Sequence, residues 1–257
     1  VAAVAAAAGA AATSQPTTVP SLKSNKPART APARAVLPKQ TFRFLCDLAR
    51  HNSKAWMDAH RDRYRSEVVE PFRALFEALA PAALRLNPRI ILSGRTGDNF
   101  SRINRDIRFS RDKTPYRPHM YLFFAERDGA TGQFYIGAAA DSLTIGFRVY
   151  GMEKTSRLVQ VGRARGAANR KWIARQRTRL GRRYESYWYS TVQGAWTKHA
   201  GWPVEPENWA ALQGWIIRRE FPISAASKPH FEREAAKVFR DTHPLHLFIA
   251  SANWKPK

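Results

Sequence analysis

The chain has 257 residues, with 43 Lys and Arg against 20 Asp and Glu, a formal net charge of +23 at pH 7. Such an excess points to anionic partners or surfaces and says nothing about fold. Cys46 is the sole cysteine, which excludes an intramolecular disulfide and any cysteine-built metal cage, and no apolar run approaches the roughly 20 residues of a membrane-spanning helix.

Residues 1–40 are rich in Ala, Pro, Ser and Thr, lack aromatic and acidic residues, and carry Lys23, Lys26, Arg29, Arg34 and Lys39. Their apolar bulk is too small to offset the entropy of ordering, which predicts a disordered basic tail. An acid-poor leader of this kind also fits an organelle transit peptide. The expected compartment is therefore cytoplasmic for a linker and organellar for a leader. Residues 41–257 hold all eight tryptophans and suffice for one domain.

From Thr41, the spacing of Phe42, Leu45, Cys46, Leu48 and Ala49 by threes and fours predicts a helix with one apolar face. Asn52 or Ser53 breaks it and caps a second helix through Trp56, Met57 and Tyr64. Pro71 suits the first turn of a third, with Phe72, Leu75, Phe76, Leu79 and Leu84 as its stripe. From His119 the runs HMYLFFAERD, GQFYIGAAAD and SLTIGFRVYG, separated by Gly, Asp and Ser, predict three antiparallel strands, with DGATG as a hairpin connection.

Beyond them, residues 154–184 hold eleven Lys and Arg and no acid. Leu158, Val161, Ala168, Trp172 and Leu180 predict a helix there. It reads either as a patch for non-specific nucleic-acid binding, with Trp172, Tyr184, Tyr187, Trp188 and Tyr189 for stacking, or as a solvated helix face whose Trp172 packs inward. The second reading is the simpler. Residues 183–196 read as part loop and part strand, and 209–223 as a short helix running into a strand. Residues 228–253 read as two closing helices divided near His243 and Pro244. Helices, then strands, then helices predict an α+β fold: a mainly antiparallel sheet packed by N-terminal and C-terminal helices.

Three stretches, FLCDLARHNSKAWMDAHRDRY, RINRDIRFSRDKTPYRPHM and FEREAAKVFRDTHPLHLFI, resemble the blocks of the DUF2461 family, over roughly Phe42 to Ala252. The chain departs from that pattern with Asn104, where the family tends to have Tyr, and Met57, where it tends to have Phe. The family's function is unknown, so the resemblance implies a fold and carries no catalytic residue.

The central block holds five arginines, one lysine and two aspartates in the eighteen residues from Arg102 to His119. Arg102, Arg105, Arg108 and Arg111 step by three, a spacing that neither a helix nor a strand directs at one target. Ser110, Asp112 and Pro115 favour turns, so the block reads as an irregular loop leading into the sheet. Asp106 and Asp112 are suited to pair with arginines as a brace. Six cations face two carboxylates, and the surplus makes Arg102, Arg105, Arg108, Arg111, Lys113 and Arg117 candidates for holding an anion, with Asp106, Asp112, Tyr116 and His119 as neighbours.

The expected ligand is a phosphate-bearing or carboxylate-bearing small molecule, or nucleic acid. An enzyme using Lys113 and Tyr116 as acid/base groups, and a purely structural or interaction module, are the alternatives. No metal or cofactor is expected. His243 and His246 lack a third ligand, and phosphate-loop, dinucleotide, hydrolase and zinc-protease motifs are absent from the sequence. Oligomeric state is left open.

Overall fold

The strand runs pair as their alternation predicts. The computed structural model describes residues 36–127, 132–150, 167–190, 196–199, 212–251 and 254–255. Strands β1 (His119–Ala125), β2 (Gln133–Ala139), β3 (Leu143–Tyr150), β4 (Glu185–Ser190), β5 (Trp196–His199) and β6 (Leu212–Phe221) form one antiparallel sheet in the order β1-β2-β3-β6-β4-β5. Helices α1 (Lys39–Arg50), α2 (Lys54–Ala59), α3 (Arg61–Tyr64) and α4 (Glu70–Leu86) precede it. Helix α5 (Arg170–Leu180) and helix α6 (Phe231–Ala250) follow the first hairpins and close the chain. The fold is therefore α+β, and no described helix is long and apolar enough to cross a membrane.

One sheet face forms the core. Leu122, Phe124, Phe134, Ile136, Ile145, Phe147 and Ile217 are buried on it. Phe76 of α4 stacks on Phe124 at 5.6 Å, and Phe239 of α6 meets Phe124 and Phe134 at 5.6 and 5.2 Å. The opposite face carries Tyr121, Phe123, Tyr135, Arg148 and Arg218, fixed in place by the pairings Phe123↔Tyr135, Tyr135↔Gly146 and Gly146↔Arg218.

The helices differ from expectation in ways that have local causes. Phe44, fully buried, joins the α1 face, while Ala49 is exposed and Cys46 half-buried. Ser53 is the cap of α2, its hydroxyl accepting from the Trp56 N–H at 3.2 Å. Pro71 does sit in the first turn of α4, where it has no N–H to offer the Glu67 carbonyl. The helix answers with a π turn at Arg65–Val69, in which the Glu70 N–H reaches back to the Arg65 carbonyl. The Glu67 carbonyl accepts instead from the buried Thr41 hydroxyl at 2.5 Å. In the α4 stripe Ala83 is buried and Leu84 turns outward.

The two closing helices are one. α6 runs through Pro244 because buried residues continue on both sides of it, from Phe231 and Phe239 to Leu245, Phe248 and Ile249. That continuous apolar stripe outweighs the roughly 3 kcal/mol cost of an internal proline. Trp172 of α5 packs inward, 5 % exposed and stacked on Phe248 at 5.1 Å. Leu158, Val161, the DGATG connection before Gly132, the start of the 209–223 run and the tail to Ala35 lie outside the described residues. The fold begins before Thr41. Leu37 is fully buried, its N–H bonded to the Ala226 carbonyl at 2.9 Å, and Lys39 and Gln40 are helical.

Candidate functional site

The central block is a bent hairpin laid along the free edge of the sheet. Its outgoing arm pairs with β1 and the residues before it: Phe123 N–H to the Asn99 carbonyl at 2.7 Å, Ser101 N–H to Tyr121 at 3.0 Å, Arg117 N–H to Ile103 and Arg105 N–H to Pro115, both at 2.8 Å. The register shifts midway. Phe100 faces Leu122 and Asn104 faces Tyr116, so residues 101–103 lie opposite residues 117–121. Three residues against five is a bulge, a device that re-aims side chains. Arg102 is the middle of the three and His119 the middle of the five. Asn104 is exposed on the outgoing arm.

The tip, 106–114, is tied to itself. Arg108 donates from Nε and Nη2 to Asp106 at 3.0 and 2.7 Å. Arg105 pairs with Asp112 and also reaches the Thr114 hydroxyl at 3.1 Å. Asp112 accepts from the Thr114 N–H at 2.9 Å and from its hydroxyl at 2.8 Å. These bonds, the Thr114 N–H first and Arg105 next, push the Asp112 carboxyl down to about 2. Lys113 donates to the Ile107 carbonyl at 3.0 Å. Arg111 is exposed at the tip, and Phe109 is 96 % exposed. The base of the hairpin is held by Asn52, whose carboxamide bonds both backbone groups of Tyr116.

The six cations thus divide. Arg105, Arg108 and Lys113 are spent within the tip, whereas Arg102 and Arg117 have no carboxylate partner among the described residues. These two line an open groove of about 500 Å³ together with His119 and Arg148. Tyr121 and Phe123 form its aromatic wall, and none of its described lining residues is Asp or Glu. Arg117, His119, Tyr121 and Phe123, all from the returning arm, line this groove together. Burial, then the charges of Arg117 and Arg148, pushes the His119 pKa below its ordinary value. His119 is therefore a neutral imidazole at pH 7, able to accept a proton or a hydrogen bond beside two guanidinium groups.

Arg148 reaches the groove from β3. Its guanidinium carbon lies 4.3 Å from the Phe123 ring centre and 5.1 Å from those of Tyr121 and Tyr135, and its Nε donates to Gln133 at 3.0 Å. The sequence reading missed Tyr121, Phe123 and Arg148. The signal for the first two was present in R-P-H-M-Y-L-F, where alternate positions 117, 119, 121 and 123 are all polar or aromatic. A larger cavity of about 670 Å³ between α5 and the end of α6 is lined by Trp172, Leu247 and Trp254. Its Arg179 is tied to Gln176 and to the Asp241 carbonyl.

An antiparallel sheet with α4 and α6 packed on one face, an edge hairpin and a groove lined by basic and aromatic residues define an α+β protein with a polar cleft at the sheet edge. The chain belongs to the DUF2461 family: residues 40–248 match the family described as "Conserved hypothetical protein (DUF2461)". No curated protein matches the chain.

Proposed function

We propose that the protein binds a small anion-bearing ligand, phosphate or carboxylate, in the groove at the sheet edge, with Arg102 and Arg117 as the primary contacts. The observation that carries this reading is the pairing pattern. Two arginines without carboxylate partners among the described residues face a cleft that Arg148 and His119 also line, and no Asp or Glu is among its described lining residues. The guanidinium groups of Arg102 and Arg117, without carboxylate partners among the described residues, repel one another, and a bound anion removes that cost while meeting the planar donor forks bidentately. In this reading Arg105, Arg108 and Lys113 brace the tip and Arg111 contributes long-range field only.

Thermal unfolding in phosphate against chloride at matched ionic strength tests it. Phosphate is expected to raise the melting temperature of the wild type and not of Arg117→Ala, because only a ligand bound to the folded state stabilises by mass action. An equal shift in both proteins would remove the groove as the site. Binding to nucleic acid through the 154–184 segment is the second expectation. Of that segment α5 displays Arg170, Lys171, Arg175 and Arg177 at the surface while Trp172 turns inward. It predicts affinity that falls steeply with salt and is unchanged by Arg117→Ala.

A further inference from the structure

A bare phosphate needs only the arginines, yet Phe100, Tyr121 and Phe123 also line the groove. Tyr121 and Phe123 stack nearly parallel, 12° apart with centres at 5.8 Å, and both are half-buried on the face away from α4 and α6. The Tyr121 ring lies flat because its cross-strand partner is Gly137, where a Cβ would fall 2.4 Å from the ring. His119 meets Tyr121 edge-on at 5.2 Å. The Arg148 guanidinium lies within cation–π range of the same two rings, its Nε fixed by Gln133. Planar groups therefore continue from where the cations of Arg102 and Arg117 end.

Alternate side chains on a strand stand about 6.6 Å apart. The step from Arg117 and His119 to Tyr121 and Phe123 thus matches a ligand whose anionic group and flat ring are joined by a short spacer. A cavity of about 500 Å³ lies within the size range of small-molecule sites.

We infer that the ligand is a nucleotide, its phosphate held by Arg102 and Arg117 and its base laid against the Tyr121–Phe123–Arg148 wall. This rests on the anion reading of the same groove. The same chemistry is offered by a free mononucleotide and by one residue of a single strand, since stacking on aromatic rings and guanidinium planes serves both.

Calorimetric titration of the full chain with adenosine 5′-monophosphate, ribose 5-phosphate and a short oligothymidylate separates the cases. The monophosphate is expected to bind about tenfold tighter than ribose 5-phosphate, the order of gain that one stacked base supplies. Phe123→Leu keeps apolar volume and removes the ring, and should shrink that ratio towards one. Tyr121→Leu serves the same purpose if Phe123→Leu fails to fold. Arg117→Ala should weaken both ligands alike. Equal affinity of the wild type for both would overturn the nucleotide inference and leave the anion reading standing. Failure of both ligands to bind overturns both readings. Given the predicted ratio, an oligothymidylate that outcompetes the monophosphate, more so at low salt, identifies a nucleic-acid strand as the source, and the reverse order identifies the free nucleotide.

Discussion

The carboxamide of Asn52 donates to the Tyr116 carbonyl at 2.9 Å and accepts from the Tyr116 N–H at 3.0 Å. A single side chain in the turn between α1 and α2 thereby imitates a neighbouring strand for one residue at the base of the central hairpin. Tyr116 is 7 % exposed, so its backbone groups have no easy recourse to water. Asn52→Ala should destabilise the protein by about 1–3 kcal/mol, the usual cost of leaving buried polar groups unpaired. Urea unfolding measures it, and a change below a few tenths would mean that Tyr116 finds other partners.

The Thr41 hydroxyl and Pro71 form a second coupled pair. Thr41→Val leaves the Glu67 carbonyl without its donor and should cost about 1–2 kcal/mol. Pro71→Ala supplies an N–H that can close the ordinary helical bond to Glu67, so the double variant should lose less than the sum of the two single changes. Strict additivity would contradict the link between the proline and the π turn.

His246 gives the fold an acid-sensitive point. It is 4 % exposed, its Nδ1 has no hydrogen-bond partner among the described residues, and its ring packs against Phe134 at 5.5 Å and Phe147 at 5.8 Å. Burial first, then the charge of His243, lowers its pKa to about 4, with Glu126 opposing and Arg89 adding to the shift. A depressed pKa means that the unfolded chain takes the proton first. The associated stability, on the order of 3 kcal/mol, is complete above about pH 6.5 and lost as pH falls towards 4. His246→Leu should flatten the stability–pH curve in that window, as measured by chemical unfolding at several pH values.

The tip brace has a local readout. Asp112→Ala removes the acceptor for the Thr114 N–H and for Arg105, so the Thr114 amide should exchange at least about tenfold faster while the Ile136 amide at the sheet centre does not change. Because the Asp112 carboxyl lies well below its ordinary value, the brace should hold above about pH 4 and loosen only as pH falls towards 2.

The first three strands were legible because aromatic and aliphatic runs between Gly and Asp breaks allow little else. Helix α6 was misread at Pro244, since a local rule about proline cannot weigh a buried stripe set by the sheet beneath it. Within the central block the spacing of the arginines correctly ruled out a single target, and the pairing of Asp106 and Asp112 with arginines was expected. Which arginines they take was not, because that depends on how the tip folds back. Arg148 was invisible for a stronger reason. It reaches the groove only through the β2–β3 register, Gln133↔Arg148, and sequence spacing of fifteen residues carries no such signal.

The central claim is that an anion meets Arg102 and Arg117 and leaves the tip arginines as they are. Arginine side-chain Nε–H resonances, assigned and followed while inorganic phosphate is titrated at constant ionic strength, test it directly. The account predicts saturable shifts at Arg102 and Arg117, with Arg105 and Arg108 unmoved in their bonds to Asp112 and Asp106. Saturable shifts at Arg105 and Arg108 with Arg102 and Arg117 silent would place any anion at the tip and contradict it.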